Sequence, residues 1–180
     1  MKSKGLIILF FSFVSAFGQE EQPKIKWHEN RQLSWEDFKA EPDNSIAYSA
    51  NTNSGIGYSW NYSTASGIPE FQHEVYTNFY PNLSWVKDIQ NEEYLLAHEQ
   101  LHFDISELHA RKLRKILESY EIGRNIRQDL KRLYNVVESD RVAMQNRFDK
   151  ETAHSENKTA ELKWRHFVAE ELFKLQDYAL

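Results

Sequence analysis

The chain is predicted to be an α+β domain, a small antiparallel sheet followed by a long helix and two further helices. Three observations predict it. Residues 46–80 are rich in Tyr, Thr, Ser and Asn and contain Gly55 and Gly57, which is strand and turn composition. From residue 89 onward, apolar residues recur at three- and four-residue steps, the mark of amphipathic helices. The 180 residues include four prolines, no cysteine and no internal repeat, so nothing divides residues 19–180 into more than one domain.

Taken in order, residues 1–18 read as a secretory signal peptide. Lys2 and Lys4 precede a nearly unbroken apolar run, and Ser15-Ala16-Phe17-Gly18 offers small residues for cleavage. The run is too short to span a bilayer comfortably, so no stable membrane insertion is expected after cleavage. Residues 19–23 are polar, and residues 24–27 are expected to form a short edge strand. Ser34 should cap a helical turn with Asp37 in its first turn, and Trp35 and Phe38 belong to the core. Residues 46–52 and 56–62 are expected to form a hairpin about Asn53-Ser54-Gly55, with a third strand over 71–80. In that strand Phe71, His73, Val75, Thr77 and Phe79 share one face, His73 being a buried or rim histidine. Pro81 ends it, and residues 82–88 connect it to the helices.

The first helix is expected over 89–120, before Gly123, and the second over 125–150, with Ile126, Leu130, Leu133, Val137, Met144 and Phe148 as its stripe. Asp140 interrupts that stripe and suits an arginine partner. A third helix over 159–178 should bury Leu162, Phe167, Leu172 and Leu175, leaving His166 outside chemistry.

Within the first helix stands His98-Glu99-Gln100-Leu101-His102, an HExxH pattern. Residues four apart share a helix face, so both imidazoles can reach one Zn²⁺ at about 2.0–2.1 Å. Glu99, turned by about 100°, flanks the metal as a catalytic base. The arrangement is that of a minimal zincin-like domain. A catalytic zinc needs a third protein ligand. Asp104 and Glu107 lie about 240° and about 180° round the helix from His98, and His109 lies about 10 Å beyond His102 along the axis. The ligand is therefore expected from the connection between the second and third helices: His154 first, Glu151 as the alternative, with Asp149 and Thr152 as supports or caps.

Removing residues 1–18 takes the formal charge from −5 to −7, since they hold two lysines and no acid. That balance argues against a nucleic-acid partner. Without cysteine, an exported chain must rest on its core alone.

The chain resembles a family of predicted secreted zinc-dependent proteases of bacteria, catalogued as a domain of unknown function. The likeness rests on Leu33-Ser34-Trp35-Glu36-Asp37-Phe38 and on Leu95 to Ile105 with Glu107 and Arg111. It continues in Gln145, Phe148-Asp149, Glu151-Thr152 and His154. The resemblance implies a secreted or periplasmic metallopeptidase with His98 and His102 on zinc, Glu99 as base, and a peptide or protein substrate. Leu101 and Ser155 stand where relatives often have Gly, and a bulkier residue at 101 is expected to narrow the cleft. The competing expectations are a non-catalytic zinc-binding or interaction module and a cell-wall amide hydrolase.

Overall fold

The computed structural model describes residues 22–87 and 92–180. The signal segment, part of the polar stretch after it and the expected start of the first helix at 89 lie outside the described residues.

The fold is α+β, as the sequence predicts. Three antiparallel strands form the main sheet in the order β1 (Ile25–Lys26), β4 (Glu70–Phe79), β3 (Ser54–Ser63). A second ribbon pairs β2 (Ala50–Asn51) with β5 (Trp85–Val86). The helices are α1 (Glu92–Glu118), α2 (Ile126–Thr152) and α3 (Lys158–Lys174).

The expected hairpin of 46–52 with 56–62 does not form. β3 pairs instead with β4, from Ser54 opposite Phe79 to Ser63 opposite Glu70, and the reversal lies at residues 64–69, where Gly67 takes φ 81°. Asn53 makes no turn: its carbonyl accepts the Tyr80 N–H at 2.9 Å, so the chain runs extended from β2 into β3 while changing sheets. Gly55 and Gly57 therefore sit inside a strand. At Gly57 a Cβ would stand 2.3 Å from the Tyr76 ring, which lies across the sheet there.

The face assigned to β4 is observed, with Val75, Thr77 and Phe79 buried against α1 and His73 at the rim. Arg114 Nε donates to the Val75 carbonyl at 2.9 Å, tying helix to strand. Helix α1 is the axis of the molecule. One core cluster joins Ile56 and Val75 to Leu113 and Leu117 and to Leu130 and Val137 of α2. Another sets Leu101 and Ile105 against Phe148, Trp164 and Val168. A third packs Phe103 on Phe79, Leu33 and Phe38. The capped turn at Trp35–Asp37 forms as a 3-10 turn, the Ser34 N–H donating to Asp37 Oδ2 at 2.8 Å.

The buried face of α3 differs from expectation. Glu161, Trp164 and Val168 are buried, whereas Leu162 and Phe167 are exposed. Leu172 packs against that buried face as expected, but apolar residues lie on several sides of this helix, so periodicity alone misplaced Leu162 and Phe167. On α2, Arg141 rather than Asp140 stands in the buried stripe, and Asp140 is exposed.

Candidate metal centre

A helix enclosed on all sides should be apolar all round. α1 is not, since His98, Glu99, Gln100, His102, Ser106, Glu107, His109, Arg111 and Arg114 are all buried along it. Each needs a partner, because a buried polar group left unpaired costs about 1–3 kcal/mol.

Most find one within the fold. Gln100 Oε1 accepts the Leu33 N–H and its Nε2 donates to Asp104 Oδ1, which also accepts from Trp27 Nε1, each at 2.8 Å. Burial raises the Asp104 pKa in spite of these two donors. Glu107 accepts from Thr77 Oγ1 and Arg114 Nη1 at 2.8 Å and from Arg111 Nε at 3.0 Å. Asp104 and Glu107 thus anchor α1 and stay clear of the motif's face. The His109 ring rests with Nδ1 2.8 Å from the Ile105 carbonyl, and burial lowers its pKa to about 4.

His109 Nε2 is left without a hydrogen-bond partner among the described residues, and two further such atoms, on Glu99 and Asp149, stand together beside the motif histidines. His98 Nε2 and His102 Nε2 lie 3.4 and 2.9 Å from Asp149 Oδ1. Neither contact has the alignment of a hydrogen bond, so Asp149 Oδ1, like Glu99 Oε2, is a buried acceptor without a hydrogen-bond partner among the described residues. Donor atoms of His98, His102 and Asp149 all fall within 4.8 Å of one another, a cluster able to hold a metal ion. They line a cavity of about 260 Å³ with Glu99, Tyr48, Gln145, His154 and residues 49–52. Two imidazoles and a carboxylate converging beside unsatisfied acceptor oxygens fit a divalent cation.

The cluster is held from behind. Glu161, fully buried on α3, lies 2.9 Å from His98 Nδ1, and Arg165 donates to its other oxygen at 3.2 Å. A carboxylate on the outer nitrogen fixes the ring and directs Nε2 at a metal. Phe148 stacks on His98 at 4.4 Å and meets His102 edge-on. Gln145 Nε2 donates to the His102 carbonyl at 3.0 Å. Without a cation, burial disfavours the charged His98 ring, but Asp149 and Glu161 at its two nitrogens outweigh this and raise its pKa to about 9. Burial pushes the Asp149 carboxyl up, and the two imidazoles more than reverse it, holding it well below the usual range.

His98, Glu99 and His102 therefore meet at one site, and the third converging donor is Asp149, where the sequence pointed to His154. The His154 side chain is 49% exposed, with Nδ1 3.8 Å from Asp149 Oδ1, beside the cluster and outside its converging atoms. Glu151 turns away to accept from Trp164 Nε1 at 2.8 Å. Leu101 packs into the helical core and is absent from the cavity lining, so it does not narrow the cleft. A signal for Asp149 was present: it follows Gln145 by four residues, on one face of α2. Glu161 carries no local sequence signal, because only the docking of α3 brings it to His98.

The model of a bacterial family described as "Bacterial protein of unknown function (DUF922)" matches residues 28–155. No curated protein and no solved structure matches the chain.

Proposed function

The chain belongs to this bacterial family of unknown function, and from that premise we propose that it is an exported zinc-dependent peptidase. His98, His102 and Asp149 hold the metal, and Glu99 is the catalytic base. The observation that carries this reading is the convergence of three donor atoms within 4.8 Å in a cavity whose wall presents the unpartnered Glu99 Oε2. Three protein donors and an accessible cavity suit a catalytic zinc, since a structural zinc is closed by four. The same donors suit Fe(II), so metal analysis of the purified protein is the first measurement.

When bound, the cation supplies Lewis acidity, polarising a carbonyl and acidifying water at the open position. The proton transfers belong to Glu99. Its free oxygen accepts a proton from the attacking water and then delivers it to the leaving amine nitrogen. Glu161 accepts a hydrogen bond from His98 Nδ1–H, which holds the ring in the tautomer whose Nε2 lone pair is available.

The cavity wall supports an extended peptide as substrate. The Lys87 N–H bonds to the Ser49 carbonyl, and Asn51 stands opposite Trp85, so residues 49 and 51 are the ones bonded to β5. In an antiparallel pair the bonding residues alternate, so the backbone groups of Ala50, which lines the cavity, point away from β5. Export rests on the basic start and apolar run of residues 1–18. No helix among the described residues is long and apolar enough to cross a membrane.

The test is Glu99→Gln, assayed against a peptide library with metal content measured in parallel. Hydrolysis should fall by about 10²–10⁴-fold while bound metal stays constant. Retained cleavage would refute the base assignment. A protein that holds metal and cuts no peptide would instead be a binding module, and one active only on cell-wall amides would share the centre and differ in substrate.

A further inference from the structure

Three consecutive residues after α2, none of them glycine, adopt left-handed backbone: Ala153, His154 and Ser155, at φ 49°, 50° and 75°. Each costs about 1–2 kcal/mol. The run closes the end of α2: the Ala153 and His154 N–H groups both bond to the Asp149 carbonyl, and the Asn157 N–H bonds to the Thr152 carbonyl at 2.7 Å. It has a second result. It lays the His154 ring flat against Tyr48, centroids 4.8 Å apart and planes 16° from parallel. Tyr48 also stacks with Trp85, centroids 5.9 Å apart and planes 4° from parallel. Tyr48 thus stacks with two rings from distant parts of the chain.

Tyr48 and His154 both line the cavity that holds His98, Glu99, His102 and Asp149. The Tyr48 hydroxyl makes no hydrogen bond among the described residues. Burial, and then the nearby Asp149 and Glu99, raise its pKa, and a phenol hydroxyl is a hydrogen-bond donor. Hydrolysis creates a matching acceptor, because the carbonyl oxygen gains charge as water adds to its carbon. A fixed donor does this best, and strain held at a site of this kind is what a pre-organised group requires.

We infer that Tyr48 donates a hydrogen bond to the scissile carbonyl oxygen as it becomes anionic, and that His154 is a positioning residue that holds the phenol in place. The inference rests on the peptidase reading above. In the step, the water oxygen bonds to the carbonyl carbon, the carbonyl π pair moves to oxygen, and Glu99 takes the water proton. Tyr48 donates its hydrogen bond without losing the proton. The C–N bond then breaks, and nitrogen receives the proton from Glu99.

The experiment uses the full zinc-loaded chain, a peptide it cleaves, and a phosphonamidate peptide whose tetrahedral phosphoryl oxygen mimics the anionic oxygen. Tyr48→Phe keeps the ring stack, so metal content should be unchanged while kcat falls about 10²–10³-fold with KM little altered. Affinity for the phosphonamidate should fall in step, and affinity for the product peptides should not. His154→Ala should lower kcat about tenfold or more, and His154→Phe, a flat ring that can neither ligate nor donate, should recover most of that loss. An active wild type with Tyr48→Phe matching it in kcat and phosphonamidate affinity would overturn the inference alone. Failure of His154→Phe to recover activity would overturn the positioning role. A wild type that cleaves no peptide would overturn both the inference and the function it rests on.

Discussion

Asp149 reaches the histidines because Gln145 and Asp149 project from one face of α2, and that face lies along α1. Gln145 bonds to the His102 carbonyl, and one helical turn further on, Asp149 meets the two imidazoles. His154, just past the helix end, is aimed instead at Tyr48. The two assignments separate cleanly. Asp149→Asn should lose stoichiometric zinc, whereas His154→Ala should retain it, as measured by metal analysis after dialysis. Equal zinc in both variants would remove Asp149 from the ligand set. Glu161→Gln should keep the metal with affinity reduced about 10–100-fold, since it acts on His98 from outside. At this scale the legible part was the local part. His98, Glu99 and His102 share one stretch of helix, so spacing alone places them together. Asp149 and Glu161 join them only through packing between helices, and Glu161 is 63 residues from the ring it orients.

Between elements, the junction that matters is α1 on the sheet, because it determines where the motif's open face points. Glu107 lies at that junction, bonded to Thr77 of β4 and to Arg111 and Arg114 of its own helix. The same arginines reach the Leu172 and Tyr178 carbonyls at 2.8 Å, so one buried carboxylate also holds the end of the chain. Glu107→Ala leaves two buried guanidinium groups without their counter-charge, and the expected loss is about 3–5 kcal/mol in urea unfolding. A loss below about 1 kcal/mol would mean that solvent reaches these charges in the native protein. The helices were legible because apolar residues recur at three- and four-residue steps along α1 and α2. The sheet was less so, because composition marks a strand without naming its partner: residues 50–51 and 56–62 are strand as expected, yet the expected turn at 53–55 runs extended, β2 pairs with β5 and β3 with β4. On α3 the buried Glu161 replaces an apolar residue, which hid the inner face from any count of apolar positions.

For the whole molecule, stability has no covalent help, since the chain contains no cysteine. Its core is divided into three clusters about α1, so the helices need something that joins them where the clusters are interrupted by polar groups. The proposed metal centre stands at such an interruption. Its donors come from α1 and α2, with α3 behind His98 through Glu161, so one bound cation would tie all three helices together. A ligand that binds only the folded state stabilises it by about 2.7 kcal/mol at a free concentration 100 times its Kd. For a chain of this size that corresponds to roughly 5–11 °C in Tm. Chelation of the zinc-loaded protein should lower Tm by this amount and re-addition of zinc should restore it, as followed by thermal unfolding. Asp149→Asn, unable to complete the donor set, should unfold at one temperature with or without chelator. If the wild type behaved in that way too, no ion would bridge the helices, and the peptidase reading would lose the group that holds its site together.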